Sequence, residues 1–265
     1  MDICVVDTTL RDGEQKAGIA LKTGDKVQIA GILDRLGIFQ IEAGTPAMGG
    51  EEKRSVSRIA GLGLKCKVSA WNRLNLSDIL HSMECEVDIV HISVPVSDIQ
   101  IETKLGKSRE WVMNSLRKCV SFCMEKNFAV TIGLEDASRA DSAFMLQIIA
   151  SALMEGAQRV RYADTVGIST RNRIFEEIRS IRAAVDMDIE MHAHNDLGMA
   201  VANTLSAVKA GAAFVDCTIG GIGERAGNCD MLKFIQAAKA CLGICNHYDM
   251  KKVKDAQKEI MGIIF

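Results

Sequence analysis

Short apolar runs rich in Val, Ile and Ala recur along the chain, and amphipathic stretches fill the intervals between them. The runs predict strands over residues 3–7, 39–43, 65–70, 89–94, 128–134, 159–163, 189–193 and 214–218. The intervals predict helices over 23–37, 50–62, 76–83, 108–126, 141–155, 171–185, 198–210 and 229–242. In the first helix, Val27, Ile29, Ala30, Ile32, Leu33 and Leu36 make an apolar stripe that Gly37 stops. Ser108 reads as the N-cap of the fourth. Eight β–α units in unbroken alternation imply a parallel sheet with helices outside. Eight is the number that closes a (β/α)8 TIM barrel, whose usual size is about 250 residues. A doubly wound open sheet would carry a glycine fingerprint after its first strand. Here residues 9–12 read Thr-Leu-Arg-Asp instead. The α/β barrel takes residues 1–242, and residues 243–265 read as a C-terminal tail or the start of a linker or subdomain.

Composition narrows the function classes. The 265 residues are 48% hydrophobic and 25% charged, with a formal net charge of -2. That balance offers no basic surface for nucleic acid or an anionic membrane. No apolar stretch approaches the roughly 18–20 residues that span a bilayer, and the N-terminus lacks the basic head and apolar run of a signal peptide. The nine cysteines form no paired framework and no zinc-type Cys-x-x-Cys pair. They read as reduced, buried thiols of a cytoplasmic protein.

Unusual polar residues fall at the ends of predicted strands. Arg11 and Asp12 follow the first, Glu42 lies in the second, Arg73 follows the third and Ser93 lies in the fourth. Glu135, Asp164, Thr165, His192 and His194 continue the series, and the glycine-dense stretch 220–228 follows the eighth. All such ends open onto one face of a barrel. His192 and His194, two residues apart on a strand, point the same way. With Asp12 they suit Zn, Mn, Fe or Co better than Mg, and Asn228 adds an oxygen or holds a metal-bound water. Core histidines that merely hydrogen-bond are the plainer alternative. Arg11 stays charged and suits a developing oxyanion. Glu42, Glu135 and Glu190 are acids on apolar strands, candidates for proton transfer if burial raises their pKa values. The glycines offer backbone N–H groups to an anionic substrate or a cofactor phosphate, or make a surface turn.

Residues 7–15, 41–44, 163–167, 190–198 and 220–228 together resemble the DRE-TIM metallolyase superfamily. That superfamily includes isopropylmalate, homocitrate and citramalate synthases and hydroxymethylglutaryl-CoA lyase. Stretches 62–64, 69–73, 91–98, 104–106 and 133–141 are most similar to homocitrate synthases of the nitrogen-fixation type. The resemblance implies a divalent metal (Mn, Mg, Zn or Co) on Asp12, His192 and His194, with Asn228 at or beside it. It implies acetyl-CoA as co-substrate and a 2-oxo acid, 2-oxoglutarate for a homocitrate synthase. Catalysis is expected of Arg11 and Glu135. Substrate binding is expected of Gln15, Glu42, Arg73, Thr165 and Glu190.

Two departures stand out. Lysine-pathway homocitrate synthases carry an arginine four residues before the position of Glu135, where this chain has Thr131. The nitrogen-fixation type also lacks it, and Arg73 is the expected substitute. The chain also lacks most of the C-terminal subdomains of full-length synthases, which supply a histidine and a tyrosine; nothing aligns His247 and Tyr248 with those roles. It therefore reads as the barrel subunit of a split enzyme or a truncated chain, in a homo-oligomer or with a second synthase subunit. The alternatives are a sister acyltransferase using another 2-oxo acid, a hydroxymethylglutaryl-CoA lyase-like enzyme, and a non-catalytic subunit that binds metal and 2-oxo acid. Glu224 and Arg225 stand where the lyases carry a catalytic cysteine and proline.

Overall fold

Eight strands, β1 (Cys4–Asp7), β2 (Gln40–Glu42), β3 (Lys67–Arg73), β4 (Ile89–Pro95), β5 (Ala129–Glu135), β6 (Arg159–Asp164), β7 (Asp188–Ala193) and β8 (Phe214–Cys217), each run parallel to the next. Strand β8 returns to β1, with Cys4 opposite Phe214 and Asp7 opposite Cys217, so the sheet closes into the predicted barrel. The computed structural model describes residues 3–265. Closure leaves no barrel strand with an unpaired edge.

Helices α1 (Thr23–Arg35), α2 (Gly50–Ala60), α3 (Leu76–Met83), α4 (Arg109–Glu125), α5 (Ser142–Met154), α6 (Arg171–Ala184), α7 (Ala200–Ala210) and α8 (Met231–Leu242) follow the strands in turn. Local chemistry sets their ends. The side chains of Asn75, Ser108, Asp141, Thr170 and Asp230 each accept a backbone N–H of the first turn, as N-caps do. The main apolar core is continuous. Ile29 and Leu33 of α1, Ile59 of α2 and Leu116 of α4 share it with strand residues such as Val5, Ile41, Val130 and Val160. Cys119 and Cys123 of α4 belong to it, and burial pushes their thiols up to about 11 and about 12.

Besides four three-residue 3-10 turns, two longer elements go beyond the predicted set. A π-helical segment, Ile99–Lys104, follows β4. Within residues 243–265, read as a tail or the start of a linker or subdomain, α9 (Met250–Ile264) forms, capped by Asp249, whose side chain accepts the N–H groups of Lys251 and Lys252. It buries Val253, Ala256 and Ile260 and packs against α1 and α8. Four lysines around that thin stripe (251, 252, 254 and 258) mask it in the sequence. Among the described residues no helix is long and apolar enough to cross a membrane.

The barrel interior differs from the core outside it. Arg159 and Arg161 of β6 hydrogen-bond Gln40 and Glu42 of β2, a strand that is not their neighbour, so these contacts cross the interior. Branched apolar side chains usually fill that space. Here charged groups take much of it.

Candidate active site

The metal-type cluster sits at the C-terminal ends of the strands. His192 lies in β7 and His194 one step beyond it, where it pairs with Asn228 in an isolated antiparallel bridge. Asp12 lies in the turn after β1, held where the N–H groups of Arg11 and Gly13 both donate to Thr8 O (3.1 and 3.0 Å). Lys26 of α1, 1% exposed, pins the same turn through Glu14 and through Glu52 of α2, each at 2.5 Å.

The Nε2 atoms of His192 and His194 stand 3.2 Å apart, and Asp12 Oδ2 lies 3.6 and 3.9 Å from them. All three residues are buried, and one ligand atom of each falls within 4.8 Å of the others. Ligands about 2.1 Å from one shared ion lie about 3.0–3.4 Å apart, so small adjustments of the carboxylate complete the set. His192 Nδ1 is 2.9 Å from Asp216 Oδ2. A proton on that nitrogen leaves the Nε2 lone pair free for a cation, the usual carboxylate–histidine arrangement of metal sites. The residues present therefore fit a divalent ion.

Asn228 stands beside this set. Its amide nitrogen donates to Asp12 Oδ1 (2.9 Å) and to Ile222 O (3.1 Å), while its buried Oδ1 has no partner among the described residues. In this orientation it aligns the carboxylate. Burial pushes the Asp12 carboxyl up, but Arg11, His192, His194 and the Asn228 amide reverse this, and it stays ionised far below the usual range. Burial and the neighbouring His192 bring His194 down to about 4, so its ring is neutral near pH 7.

Arg11 crosses above the cluster. Its Nε donates to Glu42 Oε1 (2.6 Å) and one terminal nitrogen to Asp12 Oδ2 (2.8 Å). Its remaining N–H groups are available to a cavity of about 230 Å3 that it lines together with Asp12, Gln15, Thr165, His192 and His194. Thr165 Oγ1 accepts the Asp136 N–H (2.9 Å), which leaves its hydroxyl proton to donate. The far wall holds His91, Gly133 and Glu135. Glu135 accepts from Lys104, carried in by the π-helical segment, at 2.7 Å and from Ser93 Oγ at 3.2 Å. His91 Nδ1 meets Thr131 Oγ1 at 2.8 Å, and a Cβ at Gly133 would stand 2.6 Å from His91 Nε2. Burial and the Arg161 cation push His91 well below the ordinary imidazole value, so it is neutral.

Three expected substrate binders lie elsewhere. Arg73 is held by both oxygens of Asp78 (2.7 and 2.9 Å) with its side chain 68% exposed, and it does not line the cavity. Glu42 and Glu190 are fully buried beneath the cavity among arginines. Burial pushes Glu42 up, but Arg161 and Arg11 hold it well below the usual value, the opposite of the rise expected from burial alone. The glycines of 220–228 serve close packing. A Cβ at Gly223 would stand 2.0 Å from Asn228 Nδ2, and one at Gly227 2.0 Å from Gly221 O. Arg225 ties this loop to Asp196 (2.9 Å) and to Thr165 O (2.7 Å).

A family model described as HMGL-like matches residues 2–260. The chain belongs to the HMGL-like family. Homocitrate synthase subunit alpha of Clostridium pasteurianum is 58% identical over 265 residues, covering 100% of this chain and 98% of that protein. 2-Isopropylmalate synthase 2 of Caldanaerobacter subterraneus subsp. tengcongensis is 48% identical over 237 residues. That match covers 89% of this chain but only 62% of the longer relative. The HMG-CoA lyase of Bacillus subtilis superposes with a TM-score of 0.86 over 99% of this chain and 94% of that one; at 18% identity it speaks for the fold alone. In this HMGL-like barrel Arg161, Asp216 and His91 are neighbours of the site that the sequence reading does not pick out. Each sits on a strand at the inward phase of the alternation, which is the signal that could have found it.

Proposed function

We propose that the chain is the barrel subunit of a homocitrate synthase, condensing acetyl-CoA with 2-oxoglutarate and then hydrolysing the thioester with water to give homocitrate and CoA. The observation that carries this is the convergence of Asp12, His192 and His194 beside the anchored cation of Arg11. The 58% identity to a homocitrate synthase subunit alpha supports the choice of acceptor, and that relative's name supports a second subunit. Asp12, His192 and His194 would hold a divalent ion (Mn, Mg, Zn or Co), which would supply Lewis-acid polarisation to the ketone of the 2-oxo acid. Thr165 donates its hydroxyl proton to the adjacent carboxylate. Arg11, fixed by Glu42 and Asp12, presents its free N–H groups where the ketone oxygen gains charge as the new C–C bond forms. Glu135, facing the cavity between Lys104 and Ser93, takes the methyl proton of the thioester. Gln15 lines the same chamber. A site of this kind, on a chain without basic excess, suits a cytoplasmic enzyme of small acids rather than one acting on nucleic acid or membranes.

The test is CoA release from acetyl-CoA across a panel of 2-oxo acids, with the chain alone and with a longer homologous subunit added. The expected result is highest kcat/KM with 2-oxoglutarate, raised by the added subunit. Equal or better turnover of pyruvate or 2-oxoisovalerate would move the chain to a sister synthase. Binding of metal and 2-oxoglutarate without turnover in either mixture would leave it a non-catalytic subunit.

A further inference from the structure

Arg161 occupies the centre of the barrel, its side chain 3% exposed. One terminal nitrogen donates to Glu42 Oε2 (2.8 Å), and the other lies 3.2 Å from Glu42 Oε1 and 3.5 Å from Asp216 Oδ2. Glu42 Oε1 also accepts from Arg11, and Asp216 Oδ2 faces His192 Nδ1 at 2.9 Å. Arg11 and His192 then meet again on Asp12 Oδ2, at 2.8 and 3.6 Å. These six groups form a closed ring, four of whose members (Arg11, Asp12, Arg161 and His192) line the cavity. Arg11 and Asp12 share the turn after β1, and the other four come from β2, β6, β7 and β8.

We propose that Arg161 is a positioning residue: it couples the placement of the oxyanion cation Arg11 to the placement of the metal-holding imidazole of His192. This rests on the reading of Asp12, His192 and His194 as the metal set. The planar guanidinium matters because one rigid fork faces both carboxylates at fixed angles. A lysine has the charge but a single point of contact. If Arg161 drifts, Glu42 and Asp216 drift with it, and each carries one end of the site. The other buried arginine of β6, Arg159, meets Gln40 and Glu190; Glu190 also accepts from Arg161 Nε (2.5 Å) but touches neither Arg11 nor His192.

The test measures Mn and Zn affinity by calorimetry for wild type, Arg161→Lys, Asp216→Asn and the double variant, alongside urea unfolding. Loss of an outer-shell partner typically weakens metal affinity about 10–100-fold. Arg161→Lys is expected to show a loss in that range with the fold retained, and the double variant is expected to be no weaker than the worse single, because both cut one ring. An Arg161→Lys variant that is easier to unfold yet binds metal within twofold of wild type overturns the proposal and leaves an ordinary buried ion pair. If Arg161→Lys does not fold, Glu42→Gln cuts the ring with an isosteric side chain. Weakened metal binding there supports the coupling, and unchanged binding overturns it. Wild type that binds neither ion sinks the metal assignment, and this proposal with it; binding by wild type and Arg161→Lys alike sinks only this proposal.

Discussion

The mouth of the barrel and the layer beneath it are both crowded with ionisable groups, but they treat charge differently. Beneath, arginines and acids are matched. Arg161 meets Glu42, Glu190 and Asp216, and Arg159 meets Glu190 at 2.8 Å. At the mouth, two imidazole nitrogens and a carboxylate oxygen converge on a shared point, and Arg11 and Thr165 keep donors to spare. The contrast teaches that a buried acid on an apolar strand does not by itself mark a ligand site. Convergent groups with capacity left over do. Glu42 and Glu190 have the first property and lack the second.

The largest effect separating the layers is on stability. Removing one partner of a buried ion pair typically costs about 3–5 kcal/mol because the other charge is stranded. Glu42→Ala takes one carboxylate from each of two buried cations, Arg11 and Arg161, so the metal-free variant should lose about 3–5 kcal/mol, read as a shift of the urea midpoint at constant m. A loss under about 1 kcal/mol would mean the lower layer is not a network of matched charges.

A smaller effect concerns acid. Burial first, then Arg161, keeps folded His91 unprotonated well below its ordinary value of 6.5. Above pH 6.5 both folded and unfolded forms are neutral there and nothing is lost. Below it only the unfolded chain takes the proton, so stability falls by up to about 1.4 kcal/mol per pH unit for this one group. Comparing urea midpoints of metal-free wild type and His91→Gln at about pH 7.5 and about pH 5.5 isolates it. Wild type should lose about 1 kcal/mol more than the variant on acidification. Parallel losses would mean that His91 takes up its proton in the fold.

The smallest effect sharpens the boundary of the site. Arg73 is mostly exposed and paired with Asp78. Arg73→Ala should change stability by less than about 1 kcal/mol, as surface pairs do, and leave the KM for 2-oxo acid unchanged. A KM raised tenfold would return Arg73 to the substrate.

Much of the fold is legible in the chain. The alternation of strand and helix is strong because parallel strands are buried on both faces and read as apolar runs. The convergence of His192 and His194 is legible because two histidines in phase on one strand bring two ring nitrogens to the same side, which apolar packing alone does not call for. Arg159 and Arg161 stand in the same phase on β6, and Glu190 and His192 on β7, yet their pairing depends on which strands face each other across a closed barrel. That distance is a property of closure, invisible in any local window. Arg73 lies off the cavity for a related reason. Strand phase points it inward with Trp71, but it lies at the last residue of β3, where Asp78, five residues on, draws it out to the rim. The turn Ile99–Lys104 leaves no periodic signal because it is six residues long. Helix α9 is hidden by its lysines.

Gly133 carries a consequence for how such barrels diverge. The missing side chain is what lets the His91 ring stand against the neighbouring strand, since a methyl there would meet Nε2 at 2.6 Å. Exchanging hydrogen for methyl at this one backbone position would force that ring to shift. The shape of the far wall can thus change at a strand that carries none of Asp12, His192 and His194.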